Sequence, residues 1–353
     1  MPPTKILRID FLDIKEEDIR EAADSIRAGA LVIIPTETVY GIAVNMLHQE
    51  AVERLYALKK RPKNKPFSIA INKKERIEEF AQAIPLTAYK LISKFWPGPL
   101  TLVLKGIGQP SVGLRMPDDE IALMIIARTV APVLLPSANF LGKPAPVNFE
   151  AAIKDLDGLV DLAVDAGPVK LGIESSIVDL RVEPLQILRV GAISREDILT
   201  AAQRKDILFV CTGNSCRSVI AEALLKKMLQ EERRDDVEVA SAGVLTVSGI
   251  GASQGARMVL SREGIDISGH VSQEVNREMI KKSDLILVME RQHEGEILKI
   301  VPEVKNRVFL LREFAKIEGD NLDIVDPMGK PLDFYEQTFA NIKEALERVI
   351  KLI

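Results

Sequence analysis

The sequence predicts an α/β protein that consists of two successive domains. Three observations support this prediction: a length of 353 residues, short apolar runs that alternate with helical patterns, and the absence of internal repeats. A single hydrophobic core seldom extends past roughly 250 to 300 residues, so a chain of this length is expected to divide. We expect a mixed twisted sheet in the first domain, residues 1–202, and a small doubly wound parallel sheet in the second, residues 203–353.

In the first domain, short apolar runs predict strands and the segments between them predict helices. The predicted strands are residues 30–35, 67–71, 100–104, 112–116 and 133–136. The predicted helices lie near residues 50–60, 86–95, 120–130 and 148–156.

The second domain alternates strand and helix throughout. A short helix around residues 193–206, with Ser194 as its N-cap, leads directly into the strand that ends before Cys211. The following elements are predicted to be helix 217–230, strand 237–241, helix 253–263, strand 284–289, a further helix, strand 307–311 and helix 335–350. This alternation is typical of a doubly wound sheet that binds its ligand where the first strand ends.

Composition indicates a soluble globular protein. Charged residues make up 28% of the chain, the net charge is −4, and two cysteines are too few for a disulfide framework. We therefore expect a reducing, cytoplasmic environment. The N-terminus has no signal-peptide core, and the apolar stretch 121–135 is interrupted by Arg128, Thr129 and Pro132, so no membrane segment is expected. Three scattered histidines argue against a structural zinc site.

Basic and acidic residues are nearly balanced in both halves, so RNA contact would require a local basic patch. One candidate patch precedes and follows a predicted strand. Its members are Lys59, Lys60, Arg61, Lys63, Lys65, Lys73, Lys74 and Arg76.

Both cysteines lie in one short segment, residues 210–218, with the sequence Val-Cys-Thr-Gly-Asn-Ser-Cys-Arg-Ser. A strand precedes Cys211 and a helix follows, so the backbone N–H groups of the loop and the positive end of the helix dipole favour a bound dianion and a thiolate. Arg217 supplies a planar cation that suits a phosphoryl group. The alternative for Cys211 is an ordinary buried cysteine.

This segment, together with Ser-Ala-Gly at 241–243, Gly-Ile-Asp-Ile-Ser at 264–268 and Asp326-Pro327, resembles the low-molecular-weight protein phosphatases. The resemblance implies a reaction without a metal or cofactor, in which Cys211 is the nucleophile, Arg217 binds phosphate and Asp326 is the general acid. It also implies that Ser218 hydrogen-bonds the thiolate and that Asn214 holds a strained turn. The full predicted loop comprises Thr212, Gly213, Asn214, Ser215, Cys216 and Ser218.

The substrate is predicted to be a phosphorylated protein. Tyrosine-directed members carry a bulky aliphatic residue where this chain has Ser215, and aromatic residues where it has Met328 and Gly329. Because less apolar surface remains to hold a phenyl ring, the resemblance favours phosphoarginine, with phosphotyrosine as the alternative. Cys216 is either a packing residue or the partner of Cys211 in a reversible disulfide.

Five segments of the first domain resemble the YrdC-like threonylcarbamoyl-AMP synthases. They begin at Pro35, Leu58, Trp96, Pro136 and Glu174, and they read Pro-Thr-Glu-Thr-Val-Tyr-Gly, Leu-Lys-Lys-Arg-Pro-Lys-Asn-Lys-Pro, Trp-Pro-Gly-Pro-Leu-Thr, Pro-Ser-Ala-Asn and Glu-Ser-Ser-Ile-Val-Asp. The resemblance implies synthesis of threonylcarbamoyl-AMP from L-threonine, bicarbonate and ATP, with release of pyrophosphate. That product serves the threonylcarbamoyladenosine modification of tRNA.

The same resemblance implies roles for individual residues. Cations are expected to bind phosphate and carboxylate, hydroxyls to bind threonine, and a further set to surround ATP with Mg²⁺. The cations are Lys59, Arg61 and Lys65, the hydroxyls are Thr36 and Thr38, the Ser-x-Asn pair is Ser137 and Asn139, and the ATP set is Arg115, Ser176 and Arg189. Trp96 is expected to be a core residue, and Asp119 to lie at one rim of the cavity.

Two alternatives stay open for the first domain. Residues 59–65 also fit a solvated helix end, since most charge runs are no more than that. The fold resemblance also allows a regulator that binds double-stranded RNA without catalysis. The sequence as a whole predicts a bifunctional enzyme, in which no feature links the two reactions.

Overall fold

The computed structural model describes residues 3–353, and its chain contacts divide into two compact units, residues 1–201 and 202–353. The first two residues of the N-terminal peptide considered above lie outside the described residues. Among the described residues no helix is both long enough and apolar enough to span a membrane.

The first unit contains ten strands and seven helices among its described residues. The strands are Lys5–Arg8 (β1), Val32–Ile34 (β2), Gly41–Asn45 (β3), Ile69–Ala70 (β4), Leu100–Leu104 (β5), Val112–Arg115 (β6), Val133–Leu134 (β7), Leu162–Asp165 (β8), Ser176–Asp179 (β9) and Gln186–Arg189 (β10). The helices are Glu16–Arg27 (α1), Gln49–Lys59 (α2), Ile77–Phe80 (α3), Leu86–Phe95 (α4), Glu120–Thr129 (α5), Phe149–Lys154 (α6) and Arg195–Gln203 (α7), with a 3₁₀ turn at Lys74–Arg76.

These strands form one sheet in the order β1-β8-β2-β3-β7-β4-β6-β5-β9-β10. Parallel pairs such as β1 with β8 and β5 with β9 alternate with antiparallel pairs such as β2 with β3 and β5 with β6. The predicted mixed sheet is thus confirmed.

Helices α1 and α5 pack against each other over one end of this sheet. In α1 the buried residues Ile19, Ala22, Ala23 and Ile26 recur at the helical spacing of three and four, which produces a continuous apolar stripe. Helices α1 and α3 and strands β1, β3, β8, β9 and β10 were not predicted from the sequence. Most of these strands are four residues long, and β1 pairs with β8 more than 150 positions away, so local patterns carry little information about them.

The second unit has four strands: Lys205–Cys211 (β11), Val237–Gly243 (β12), Leu285–Val288 (β13) and Val308–Leu310 (β14). Its helices are Arg217–Glu231 (α8), Gln254–Ser261 (α9), Arg277–Lys282 (α10), Arg291–Ile300 (α11), Leu311–Phe314 (α12) and Leu332–Val349 (α13), with a 3₁₀ turn at Pro302–Arg307.

The four strands are parallel in the order β12-β11-β13-β14. Apolar clusters cover both faces, one with α8, α9 and α13, the other with α10 and α11. The prediction of a doubly wound parallel sheet is therefore confirmed. Since β11 pairs with β12 on one side and β13 on the other, its carboxyl end opens into the crevice where such sheets bind ligands.

The junction between the two units follows the predicted order of elements. Ser194 Oγ accepts a hydrogen bond from the backbone of Asp197 at 3.1 Å, which confirms it as the N-cap of α7. A single residue, Arg204, separates α7 from β11.

Candidate active sites

A cavity of about 160 Å³ opens in the first unit. Five predicted site residues line it: Thr36, Arg61, Arg115, Ser137 and Arg189. They come from five different segments of the chain, and Phe67, Ile69 and Leu135 add apolar surface. Three arginines at one small cavity suit a ligand with several negative charges.

Arg115, at the end of β6, is connected to the segment that follows β2. Its Nη2 donates to Thr38 Oγ1 at 2.8 Å and lies 2.7 Å from Glu37 Oε1. Glu37 is 2% exposed, and neither of its carboxylate oxygens has a well-aligned hydrogen bond. A buried carboxylate needs a countercharge, so Glu37 stabilises the charged guanidinium at this position.

Thr36 and Thr38 form a chain of hydroxyls. Thr36 Oγ1 donates to the carbonyl of Val39 at 2.6 Å and lies 2.9 Å from Thr38 Oγ1. Because the hydroxyl proton of Thr36 is donated to the carbonyl of Val39, Thr38 must be the donor in the hydrogen bond between the two hydroxyls. This arrangement fixes the orientation of Thr36, which lines the cavity.

Arg189 closes another side of the cavity. Its Nη1 lies 2.7 Å from Glu174 Oε1, and its Nε donates to the carbonyl of Ser175 at 2.9 Å. Ser175, which also lines the cavity, was not among the predicted residues. Its predicted neighbour Ser176 is fully buried, and the Ser176 hydroxyl donates to the carbonyl of Ile193 at 2.6 Å. Alternation along an extended segment places adjacent side chains on opposite sides, and this rule identifies Ser175.

Lys59 is buried, in contrast to the solvated helix end considered as an alternative. Its Nζ donates to Ser137 O at 2.8 Å and Asn139 Oδ1 at 2.9 Å, and it also contacts Asn139 O. Burial, followed by the charge of Arg61, lowers the pKa of Lys59 to about 8. All three ammonium protons have acceptors, so Lys59 acts first as an anchor for the Ser-x-Asn segment.

The neighbouring cations of the predicted basic patch have diverse environments. Arg61 donates to the carbonyls of Lys65 and Pro66, and its guanidinium stacks on Phe67 at 5.0 Å. The side chain of Lys65 is exposed.

Trp96 is 3% exposed and donates to the carbonyl of Leu100 at 2.7 Å, as expected for a core residue.

Asp119 was expected at one rim of the cavity, but it is not among the residues that line it. It is 3% exposed and caps α5 by accepting a hydrogen bond from Ala122 N at 2.9 Å. Burial is the main cause that raises the pKa of Asp119, and the charge of Glu37 adds to it.

The phosphate loop of the second unit joins β11 to α8. Cys211 Sγ lies 3.0 Å from Ser218 Oγ. Asn214, at φ +51°, adopts a left-handed conformation, and its amide holds the loop by donating to Ser218 Oγ at 3.1 Å and Ser241 Oγ at 2.8 Å. Asn tolerates this conformation better than most residues. Gly243 packs against the loop so closely that a Cβ would approach Thr212 O to 2.6 Å.

Arg217 is 1% exposed and lies between two carboxylates. Its Nη1 is 2.8 Å from Glu290 Oε2, and its Nη2 is 2.6 Å from Asp326 Oδ2. The backbone carbonyl of Ile324 also accepts from Nη1 at 2.8 Å. The tertiary fold thus brings the predicted general acid, 109 positions away, to the predicted phosphate cation.

Glu290 and His293 are site residues that the sequence analysis missed. His293 Nε2 lies 2.9 Å from Oγ1 of Thr212, the residue that follows Cys211 in the chain. Both residues follow β13, and the carboxyl end of β13 adjoins that of β11. Ligands bind at this edge of a doubly wound sheet, and this rule could have pointed to the two residues from the sequence.

Ser215 and Cys216 complete the loop. Both are buried, and Ser215 Oγ lies 3.7 Å from Cys216 Sγ. Cys216 Sγ donates to Ser253 Oγ at 3.1 Å, and burial raises the pKa of this thiol. Both cysteines are free thiols, and Cys216 belongs to the apolar cluster of α8 and α13.

Within residues 3–353 no group of three or more His, Cys, Asp or Glu side chains is arranged to hold a metal ion. A divalent ion in the first cavity would therefore depend on phosphate oxygens of the ligand, with Glu174 as the one carboxylate in the lining.

Two family models match the chain. The Sua5/YciO/YrdC model, described as telomere recombination, matches residues 24–191, and the model of low molecular weight phosphotyrosine protein phosphatases matches residues 206–353.

Individual relatives match the two parts separately. A Methanocaldococcus jannaschii protein, provisionally named threonylcarbamoyl-AMP synthase, is 33% identical over 200 residues, which are 54% of this chain and 94% of that protein. The protein-arginine-phosphatase of Geobacillus stearothermophilus is 38% identical over 143 residues, 40% of this chain and 92% of that protein. A longer threonylcarbamoyl-AMP synthase from Pyrococcus abyssi is 41% identical over 194 residues, 52% of this chain, and the chain spans 57% of its length.

Among solved structures, P. abyssi Sua5 complexed with L-threonine aligns over 97% of this chain and 98% of that chain. The TM-score is 0.54 and the sequence identity is 25%.

Proposed function

Because this chain belongs to the Sua5/YrdC family in its first part and to the low-molecular-weight phosphatase family in its second, we propose that it is a bifunctional enzyme. The first unit makes threonylcarbamoyl-AMP, and the second removes phosphoryl groups from proteins. Arg115, Arg189 and Thr36 around one cavity support the first activity, and Cys211 with Arg217 and Asp326 supports the second.

In the synthase reaction, L-threonine combines with bicarbonate to give a carbamate, and the carbamate oxygen attacks the α-phosphorus of ATP. The bond to pyrophosphate breaks, water is lost from bicarbonate, and threonylcarbamoyl-AMP and pyrophosphate leave. Arg115 and Arg189 bind the anions, Thr36 forms part of the cavity wall with its hydroxyl held by Val39 and Thr38, and Lys59 holds Ser137 and Asn139 in place. Mg²⁺ bound by the ATP phosphates would neutralise part of their charge.

The synthase assignment is tested by pyrophosphate release that requires both threonine and bicarbonate. We expect release from the full chain with ATP and L-threonine, and none when either threonine or bicarbonate is omitted. Pyrophosphate release that does not depend on threonine would contradict the assignment.

In the phosphatase reaction, the Cys211 sulfur attacks phosphorus, and the bond to the leaving nitrogen or oxygen breaks. Asp326 gives its proton to the leaving group, while Arg217 binds the phosphoryl oxygens. Water then attacks the thiophosphate, Asp326 takes the proton, and inorganic phosphate leaves. Ser218 Oγ, which lies 3.0 Å from Cys211 Sγ, hydrogen-bonds the thiolate that forms when the bond between sulfur and phosphorus breaks.

We favour phosphoarginine over phosphotyrosine as the substrate group. Ser215 is small, Gly329 has no side chain, and the exposed Met328 replaces an aromatic residue, so little surface is available to enclose a phenyl ring. The 38% identity to a protein-arginine-phosphatase supports the same choice. Phosphate release from proteins that carry only one of the two modifications decides between them, and a clear preference for phosphotyrosine would reverse this choice.

A double-stranded-RNA-binding regulator is the weaker alternative for the first unit. Several cations of the candidate basic patch have partners within the protein: Lys59 is buried, Arg61 donates to two backbone carbonyls, and Arg76 pairs with Glu79 at 2.9 Å. Cations that are already paired within the protein attract the phosphate backbone of RNA only weakly. Salt-dependent binding of duplex RNA without pyrophosphate release would favour this alternative.

A further inference from the structure

The hydrogen bonds of His293 define its tautomer. His293 lies in the first turn of α11, and its Nδ1 accepts a hydrogen bond from the backbone N–H of Glu290 at 3.1 Å. A ring nitrogen that accepts carries no proton, so in the neutral imidazole the proton resides on Nε2. Nε2 is 2.9 Å from Thr212 Oγ1. His293 therefore donates a hydrogen bond to Thr212.

The environment keeps His293 neutral. Burial, followed by the charge of Arg217, lowers the pKa of His293 to about 4, although Glu290, Asp326 and Asp323 act in the opposite direction. The direction of this hydrogen bond is thus the same throughout the neutral pH range.

Thr212 Oγ1 has a second donor. Arg217 Nη2 donates to it at 3.2 Å. A hydroxyl oxygen has two acceptor positions and one proton, so both acceptor positions are occupied. Within residues 3–353 no protein atom accepts the remaining proton, and Thr212 follows the nucleophile directly in the chain. Its hydroxyl is a free hydrogen-bond donor beside the guanidinium that would bind phosphate.

We propose that His293 is a positioning residue that fixes the Thr212 hydroxyl as a hydrogen-bond donor to the phosphoryl group of the substrate. This inference rests on the proposed phosphatase function. Thr212 adds a side-chain contact to those of Arg217 and the loop amides, and His293 prevents the hydroxyl from acting as an acceptor toward the ligand. A hydrogen bond to a charged oxygen is stronger than one between neutral groups.

Two substitutions isolate the hydroxyl and its donor. Thr212→Val keeps the shape and removes the hydroxyl, and we expect it to weaken both inorganic phosphate binding and kcat/KM by about 10- to 100-fold. His293→Leu should act in the same direction. His293→Gln, which keeps both an acceptor and an N–H donor, should restore most of the loss. Thr338→Val, the same change at a buried threonine of α13, should alter neither quantity.

The double variant Thr212→Val with His293→Leu tests whether His293 acts through Thr212. We expect it to bind phosphate no more weakly than Thr212→Val alone, because the shared contact is already lost. Full additivity of the two effects would overturn the positioning role, and so would wild-type phosphate binding by Thr212→Val. If His293→Leu fails to fold by circular dichroism, Thr212→Val keeps the proposal falsifiable, because wild-type phosphate binding by that variant would overturn it.

Calorimetric binding of inorganic phosphate separates this inference from the proposed function. If the wild type binds phosphate and Thr212→Val binds it less well, the donor role stands even when no phosphoprotein is hydrolysed. A wild type that hydrolyses phosphoproteins normally, and whose Thr212→Val variant does so equally well, would overturn the inference and leave the function intact.

Discussion

The phosphate loop and the first cavity differ in how the chain assembles them. The loop is nearly contiguous, because residues 211–218 supply the proposed nucleophile Cys211, the proposed phosphate-binding cation Arg217 and the hydroxyl near the thiol. The cavity collects side chains from five segments between Thr36 and Arg189. A contiguous site forms with one strand, one turn and one helix, whereas a dispersed site exists only after the ten-stranded sheet has formed.

The cations of the two regions also differ in their partners. Arg217 lies between two carboxylates and is 1% exposed, while Arg115 and Arg189 each pair with a single carboxylate and reach the cavity. Losing Arg217 would leave two carboxylates without a countercharge, which is far more costly than losing an exposed ion pair. The cation of the loop is therefore more strongly tied to its carboxylates than the cations of the cavity are.

The largest effect is expected for Cys211→Ser. The serine hydroxyl is a poor nucleophile in this setting, so phosphatase kcat should fall by at least about 10³-fold, while threonine-dependent pyrophosphate release should be unchanged. Both activities are measured on the same preparation. A simultaneous loss of both activities would show that the two sites are coupled.

Asp326→Asn should reduce phosphatase activity by about 10²- to 10³-fold, because the leaving group no longer receives a proton. The loss should be smaller for an aryl phosphate whose leaving group needs no proton, such as p-nitrophenyl phosphate. Equal losses on both substrates would instead indicate that Asp326 acts mainly through Arg217, 2.6 Å away.

Arg189→Ala should lower the kcat/KM of pyrophosphate release by about 10- to 100-fold, because the loss of one hydrogen bond to a charged group has an effect of that size. Its exposed counterpart Arg128→Ala removes an ion pair with Glu16 outside the cavity lining and should leave the rate unchanged. If the two variants behave alike, the cavity is not the binding site for the anionic substrates.

The smallest effect concerns acid stability. The pKa of His293 is about 4 in the folded unit, below its ordinary value near 6.5, so the unfolded chain binds the proton first as pH falls. The free energy of unfolding should therefore decrease between about pH 6.5 and pH 4, and His293→Gln should reduce that decrease. Both cysteines of the chain are buried in this second unit. The reaction of their thiols with dithiodipyridine therefore measures the unfolding of this unit and not that of the first. An identical pH dependence in both proteins would contradict this prediction.

Much of the architecture could be predicted from the sequence. The boundaries of α2, α4, α5 and α8 agree with the predicted ranges to within about a residue. Signals close in the sequence mark some of these boundaries, since Pro85 precedes α4 and Asp119 is the N-cap of α5. The strand predicted at 67–71 contracts to Ile69–Ala70, and α13 begins at Leu332 rather than at residue 335. Strand ends depend on partners elsewhere in the chain, which a local pattern does not contain.

The sequence by itself determined the α/β class of both units, the two families and the contiguous loop at residues 211–218, since these follow from local composition and short-range spacing. The tertiary structure alone decided that Lys59 is an anchor with three acceptors, that Ser175 lines the cavity beside Arg189, and that Glu290 and His293 contact the phosphate loop. The physical reason is that burial and hydrogen-bond saturation depend on neighbours brought together by sheet pairing, and sheet pairing joins residues more than a hundred positions apart.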